Sequence, residues 1–436
     1  MIEVGNEIVV AHEDAGLDIA PSMGTEAVPD WPGALWVGAV DLDSLAGYTH
    51  LRLQDSIGYH RARLLVRSGS SVRGFIDVEA PDGVLDRGVL ESAAAALPAA
   101  VASQPSSTPS ITVIVCTRDR PALLRGAIAA ILRLDYPNFD VIVVDNGAST
   151  AETRDMIRDE FPDPRLTLIS EPKPGLSKAR NAGLRRARGD IVAFTDDDVV
   201  VDEFWLRGIA AGFEQAPDVG CVTGLVPAGE LRSPAQGYFD ERVNWSKIVA
   251  PKVYSMADPP ADLPTFPFCV GAFGTGANFA LDRRTALALG AFDPALGVGT
   301  RTGGGEDIDM FTRVILGGHS LVVQPSAIVW HRHRAEVEDL MVQARGYGKG
   351  LGSWLTKILL NPHTARLAIA RSPQGARHFL RNARNHSRGQ TAATATATAT
   401  TSASRDPRVE KALRTELFSV ARGPLNYLLE RWSGKT

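Results

Sequence analysis

From residue 111 onward the chain alternates between two periodicities. Apolar, β-prone runs at 111–115, 141–144, 166–169 and 191–194 are separated by segments with helical spacing. The runs are short and continuously apolar, which is the pattern of strands buried on both faces of a parallel sheet. Between the first two, Leu123, Leu124, Ala127, Ile128, Ile131 and Leu132 mark one helix face. Further helices are expected near 151–160 and over 176–187, the second preceded by Gly175. Strand and helix in alternation predict an α/β unit with a largely parallel sheet covered on both faces.

The flanks read differently. Residues 1–102 predict a small α+β unit. Runs at 59–66 and 72–78 joined by Ser68-Gly69-Ser70-Ser71 read as a hairpin, and the Ala- and Leu-rich 89–101 reads as a helix. Residues 103–110, rich in Ser and Pro, read as a linker to the α/β unit at 111–334. After it the chain turns helical (335–389), with Leu351, Trp354, Leu355, Ile358 and Leu359 as one apolar stripe. An Ala/Thr repeat at 390–404 is too simple to specify a packed core. A last helical segment, 405–436, is interrupted at Gly423-Pro424.

Composition narrows the class. With 436 residues, 44% hydrophobic and 22% charged, the chain reads as a soluble globular protein of two or three domains. Three scattered cysteines, Cys116, Cys221 and Cys269, suggest neither a disulfide framework nor a zinc cluster, and fit a reducing cytosol. Neither a signal peptide nor a membrane-length apolar stretch is legible, so a cytoplasmic location is expected. The Ala-, Arg- and Gly-rich composition hints at a high-GC bacterium. Charge is uneven: residues 340–405 hold ten Lys or Arg and no acid, although the whole chain carries −4. A basic, partly apolar segment on an acidic body predicts either a helix packing its stripe on the α/β unit or peripheral contact with an anionic membrane, whereas nucleic acid is not expected as a partner.

Candidate chemistry clusters at the ends of the expected strands, where open α/β sheets bind ligands. The run 191–194 leads into Asp196, Asp197 and Asp198, three adjacent like charges that call for an offsetting cation. Hard oxygen ligands suit Mg²⁺ or Mn²⁺. The first strand leads into Thr117-Arg118-Asp119-Arg120-Pro121 and the second into Asp145-Asn146-Gly147. Lys178, Arg180 and Asn181 lie on one helix. Downstream, Gly303-Gly304-Gly305 precedes Glu306 and Asp307, and a strand at 328–330 runs into His331 and His333, which alternation places on one face.

In order and spacing these motifs, together with Gly276-Ala277-Asn278, resemble the catalytic domain of a family 2 glycosyltransferase over residues 111–334. The resemblance implies a GT-A fold, a mostly parallel sheet flanked by helices, and an inverting transfer from a nucleoside-diphosphate sugar, UDP before dTDP or GDP. It implies Asp198 with Asp196 as ligands of Mn²⁺ or Mg²⁺, completed by His331, and Asp307 as general base. Thr117, Arg118, Asp145, Arg180, Asn181, Asp197, Asn278 and Glu306 are implied as contacts to the nucleotide sugar. The acceptor is a carbohydrate, a lipid-linked glycan or a small molecule. The N-terminal unit and the last hundred residues lie outside the resemblance, and no role carries over to them.

Other enzyme classes fit less well. The first strand leads into no G-x-G-x-x-G turn, and the G-x-x-x-x-G-K-[ST] pattern is absent. A metal-dependent phosphohydrolase or nucleotidyltransferase, and a non-catalytic sugar-nucleotide-binding protein, are the remaining alternatives.

Overall fold

The structure, a computed structural model, describes residues 15–24, 27–29, 31–101, 104–372 and 415–433. The N-terminal unit comprises β1 (Gly16–Ile19), β2 (Trp36–Asp41), β3 (His50–Leu53), β4 (Arg61–Ser68), β5 (Ser71–Glu79), β6 (Val84–Asp86) and α1 (Arg87–Ala95). The expected hairpin is β4 with β5, antiparallel and in register from Arg61↔Glu79 to Ser68↔Ser71. The helix expected over 89–101 ends at Ala95, ahead of Pro98, because proline cannot continue it. Leu35, Val37, Leu65 and Val72 of this unit share a core with Leu225, Leu231, Ile328 and Trp330. Arg67 pairs with Asp202 at 3.0 Å and Arg63 with Asp240 at 2.7 Å across the same junction.

The central unit begins with β7 (Ile111–Thr117), α2 (Pro121–Leu132), β8 (Phe139–Asn146), α3 (Glu152–Glu160), β9 (Leu166–Glu171), α4 (Leu176–Arg186) and β10 (Ile191–Thr195). Their four strands pair in parallel, in the order β10-β7-β8-β9. Alternate residues feed two cores: Val113, Val141 and Ala193 on one face, Ile114, Ile142 and Phe194 on the other. This half matches the periodicity.

The second half is mixed. It contains β11 (Val199–Val201), α5 (Trp205–Phe213), β12 (Val219–Leu225), α6 (Pro234–Arg242), β13 (Lys252–Tyr254), β14 (Asn278–Asp282), α7 (Arg283–Ala288), α8 (Glu306–Leu316) and β15 (Ser320–His331). Here β14 lies antiparallel between β10 and β12, β12 and β15 are parallel, and β11 and β13 cap β15 antiparallel. The sheet is thus less uniformly parallel than the periodicity suggests. The chain reaches β14 through a long irregular segment rather than a crossover helix, and so need not enter parallel. Phe194 and Phe279, paired in register, stack at 4.8 Å between ring centroids and lock β14 to β10.

Helix α9 (Val337–Leu360) follows, and a C-terminal helix (Gly423–Ser433) packs on it. The apolar stripe expected on α9 divides: Trp354 and Ile358 are buried, Leu355 and Leu359 exposed. Glycines govern the packing instead. Gly348 and Gly352 abut the backbone of residues 416–423, while Gly346 and Gly350 abut that of Gly303, Gly304 and Gly305. The helix break expected at Gly423-Pro424 falls at 421–422. The Ala/Thr repeat at 390–404 lies outside the described residues.

Candidate active site

Strand β10 delivers the acidic triplet and β15 delivers the imidazoles. Because β11 pairs antiparallel with β15 in the register Val199↔His331, the residue before Val199 is set beside His331. His331 Nε2 lies 3.4 Å from Asp198 Oδ1. Asp196, Asp198 and His331 each offer a ligand atom, and the three atoms lie within 4.8 Å of one another. Of the two histidines, His331 joins this cluster. His333 is buried behind it, with the two Nδ1 atoms 3.2 Å apart, so one donates to the other. A ligating imidazole characteristically has its second nitrogen held in this way.

Charge within the cluster is asymmetric. Burial opposes ionisation of Asp198, but His331, Arg120 and Arg334 hold its carboxyl well below the usual range. Burial pushes Asp196 up to about 6, against the pull of Arg180. His331 is raised despite its burial, by Asp198 and then Asp196. Burial together with the charge of His331 drives His333 well below the ordinary imidazole value.

The first loop closes over the triplet. Thr117 Oγ1 donates to Asp197 Oδ2 at 2.7 Å, and Arg120 donates to Asp197 at 2.6 Å and to Asp198 at 3.1 Å. Both oxygens of Asp197 are therefore engaged by the protein. Asp119, in a left-handed conformation (φ 52°), accepts from the backbone and hydroxyl of Ser149, tying the loop after β7 to the loop after β8. Asp145, next to last in β8, is buried, and its Oδ1 has no partner among the described residues. Burial, then Asp119, raises its pKa. An orphaned buried carboxylate oxygen is costly unless a ligand meets it. Arg118 is half exposed beside Asp119.

On the other side, α4 and α8 meet through a buried ion pair. Arg180 donates to Glu306 Oε1 at 3.0 Å and to the Gly276 carbonyl at 2.9 Å, and lies 3.7 Å from Asp196. Burial and the neighbouring Asp307 push Glu306 up to about 7, against Arg180. Asp307 is partly exposed, and its Oδ2 accepts from Gly276 N at 2.8 Å. Gly305, at φ 92°, starts α8 where a Cβ would come within 2.8 Å of the Gly350 carbonyl, so only glycine fits.

Two residues expected at the nucleotide sugar are committed to the protein itself. The Asn181 amide bridges the Phe292 carbonyl and N–H, each at 2.8 Å. Asn278 is fully buried; it accepts from Trp205 Nε1 and donates to the carbonyls of Leu225 and Ala327. The amides were legible in the sequence; their backbone partners, dozens of residues away, were not.

Three further residues reach the site. Arg120 bridges two of the acids, and Arg334 approaches Asp198 to 3.6 Å. Tyr347 of α9 is part-exposed, accepts from Gln343 Nε2 at 3.1 Å, and lies 6.4 Å from the Phe239 ring. Burial around its hydroxyl, then the charge of Asp307, raises its phenol. Arg120 sits within a motif read from the sequence and Arg334 directly follows one, but nothing local marks Tyr347.

The family described as Glycosyl transferase family 2 matches residues 112–282. Succinoglycan biosynthesis protein ExoM of Rhizobium meliloti (strain 1021) is 31% identical over 232 residues, 52% of this chain and 67% of that protein. The pre-mycofactocin glycosyltransferase of Mycobacterium tuberculosis (strain CDC 1551 / Oshkosh) is 27% identical over 250 residues, 56% of this chain and 48% of that one. The chain thus spans about half the length of one curated relative, and far less of two others that it matches. A mannosyltransferase from Pyrobaculum calidifontis, PcManGT, solved in complex with GDP-Man and Mn²⁺, is similar at TM-score 0.46 and 22% identity, covering 74% of this chain and 89% of that one. The chain belongs to glycosyl transferase family 2. Its central sheet, with a core on each face, is the α/β architecture expected from the sequence.

Proposed function

We propose that the protein transfers a sugar from a nucleoside-diphosphate sugar to an acceptor hydroxyl, with inversion at the anomeric carbon. The observation that carries the reading is the cluster of Asp196, Asp198 and His331 set at the strand ends and linked through Arg180 to Glu306 of α8. Two carboxylates and an imidazole with converging ligand atoms suit Mn²⁺ or Mg²⁺, and these three residues would hold it. When bound, such an ion supplies Lewis-acid stabilisation to the departing diphosphate.

The chain's own groups do the rest. Arg120 and Arg334, beside Asp198, add positive charge where the diphosphate develops negative charge. Asp145 offers its free Oδ1 to the nucleotide's base or ribose. Thr117 holds Asp197, and Arg118 reaches the nucleotide from the exposed rim of the first loop. Asp307, oriented by the Gly276 amide, takes the proton of the attacking hydroxyl. Arg180 and Glu306 brace the Gly276 loop against α8 and define the donor-sugar floor. Asn181 and Asn278 keep that floor in place through backbone contacts. A single in-line displacement inverts the centre, so an α-linked donor yields a β product. UDP is the first nucleotide to try.

The test is a panel of UDP-, dTDP- and GDP-sugars assayed for nucleoside diphosphate release, with Mn²⁺ or with EDTA, and with carbohydrate, lipid-linked or small-molecule acceptors. Acceptor-dependent release that needs the metal supports the reading. Release of inorganic phosphate or pyrophosphate would instead favour a phosphohydrolase or nucleotidyltransferase. Donor binding without any turnover would favour a sugar-nucleotide-binding protein.

A further inference from the structure

The C-terminal helix, Gly423–Ser433, is packed the reverse of an ordinary surface helix. Its polar and small residues face the body. Tyr427 is fully buried and donates to Asp293 at 2.9 Å, Glu430 approaches Arg301, and Gly423 accepts from Ser353 of α9 at 3.1 Å. Its apolar residues face outward. Leu425, Leu428, Leu429 and Trp432 fall at i, i+3, i+4 and i+7, and are 63%, 49%, 40% and 79% exposed. Amphipathic helices of globular proteins turn such a stripe toward the core, and here no described residue covers it. Phe418 ahead of the helix is 79% exposed, and Leu359 of α9 is 58% exposed. A surface so rich in large apolar side chains marks a binding face.

Charge identifies the occupant. In residues 361–372 and 415–433 the only acids are Glu416 and Glu430, and both are ion-paired within the fold, to Arg242 at 2.7 Å and to Arg301 at 3.8 Å. What remains facing out is cationic: Arg366, Arg422 and Arg431 are exposed. The intervening segment, 373–414, carries eight Lys or Arg against two acids by sequence. We propose that this face lies in the interface of a membrane bearing anionic headgroups, with Leu425, Leu428, Leu429 and Trp432 entering the acyl boundary and the surrounding arginines meeting lipid phosphates.

A second copy of the chain is a poorer occupant, because a self-complementary contact would oppose Arg422 and Arg431 to their own like charges. The chain's own 390–404 segment is poorer still, having only small and polar side chains to offer the stripe. The contact lies on the C-terminal helix, beyond the 340–405 stretch that charge alone indicates. It also connects inward, since Glu430 holds Arg301, a few residues ahead of the glycine-rich loop that leads to Asp307. The membrane would then adjoin the acceptor side, suiting an acceptor with a lipid anchor.

The experiment is co-sedimentation of the full chain with vesicles of phosphatidylglycerol and phosphatidylcholine (1:1) and of phosphatidylcholine alone, at 0.05 M and 0.5 M NaCl. The expected result is binding to the anionic vesicles that weakens in high salt and on neutral lipid. L425Q/L429Q/W432Q should bind at least about tenfold more weakly, with an unchanged melting temperature and unchanged nucleotide release on a water-soluble acceptor. Trp432→Ser alone should fall between the two, which keeps the test open should the triple variant fold poorly. A full chain left in the supernatant with anionic vesicles at low salt would overturn the proposal. So would stripe variants that bind as the wild type does, or a wild-type dimer that the triple variant dissolves. Transfer to the soluble acceptor reports on the catalytic reading separately, because none of these side chains touches the site.

Discussion

In the proposed reading, the donor end and the acceptor end of the site are built by different means. At the donor end, parallel strands β7, β8 and β10 each project polar residues from their carboxyl termini, and neighbouring strand ends bring Thr117, Asp145 and Asp196 together by register alone. At the acceptor end Asp307 is placed by helix packing, with Gly305 against the Gly350 backbone, Gly276 against Asp307, and Tyr347 projecting from α9. The family match, residues 112–282, includes these strand ends and Gly276 but not Asp307, Gly350 or Tyr347. A sheet fixes its strand ends with little help from side chains, whereas a helix-built wall can move as its contacts change. The donor end is therefore suited to a constant task and the acceptor end to a variable one.

Removing a donor-end acid breaks that division most severely. Asp198→Ala deletes the carboxylate that His331, Arg120 and Arg334 converge on. Metal-dependent donor binding is expected to vanish, as read by calorimetric titration of UDP-sugar with Mn²⁺. Undiminished donor affinity would mean the three cations, not a metal, hold the diphosphate. Asp307→Asn comes next: donor and metal affinities stay within about twofold while turnover falls by roughly 10²–10⁴, the usual loss with a general base. If kcat survives in that variant, the proton goes elsewhere.

How far the sequence reaches follows the same division. The parallel strands and the α8 start were legible because each has a local signature, an apolar run or a glycine before acids. The antiparallel entry of β14 was not, since it depends on where a long irregular segment returns the chain. The position of Asp198 beside His331 rests on a pairing between residues far apart in sequence, and alternation alone placed His331 and His333 on one face without ranking them. The α9 stripe misled for a physical reason: glycine-mediated backbone contact displaced the apolar face from the core. Tyr347 carries no local mark, because its position depends on α9 docking against the glycine-rich loop.

The two histidines test the donor end at finer grain. His331→Ala removes a proposed ligand atom, and His333→Ala removes only the ring that holds the His331 Nδ1. Loss of such a supporting partner commonly weakens a metal by about 10–100-fold. Mn²⁺ affinity should therefore fall further for His331→Ala than for His333→Ala, as measured by paramagnetic relaxation of water protons. Equal losses would place both rings on the ion, and a reversed order would exchange their roles.

The last test concerns Glu306, whose pairing with Arg180 braces the Gly276 loop against α8. Burial and the adjacent Asp307 raise its carboxyl from an ordinary 4.5 to about 7, with Arg180 pulling the other way. A carboxyl whose folded pKa lies above its unfolded value favours folding when protonated. That contribution is complete below about pH 4.5 and disappears as pH climbs through about 7. The shift corresponds to on the order of 3 kcal/mol between those limits. Glu306→Gln mimics the protonated form at every pH. In EDTA, wild type and variant should melt together at pH 5, and the variant should melt higher at pH 8. The gap opens between these values because the wild type must either hold a buried anion or forgo its ionisation. A gap that stays constant from pH 5 to pH 8 would show that Glu306 is ionised throughout, held by Arg180 alone, and the brace between α4 and α8 would then be a permanent ion pair.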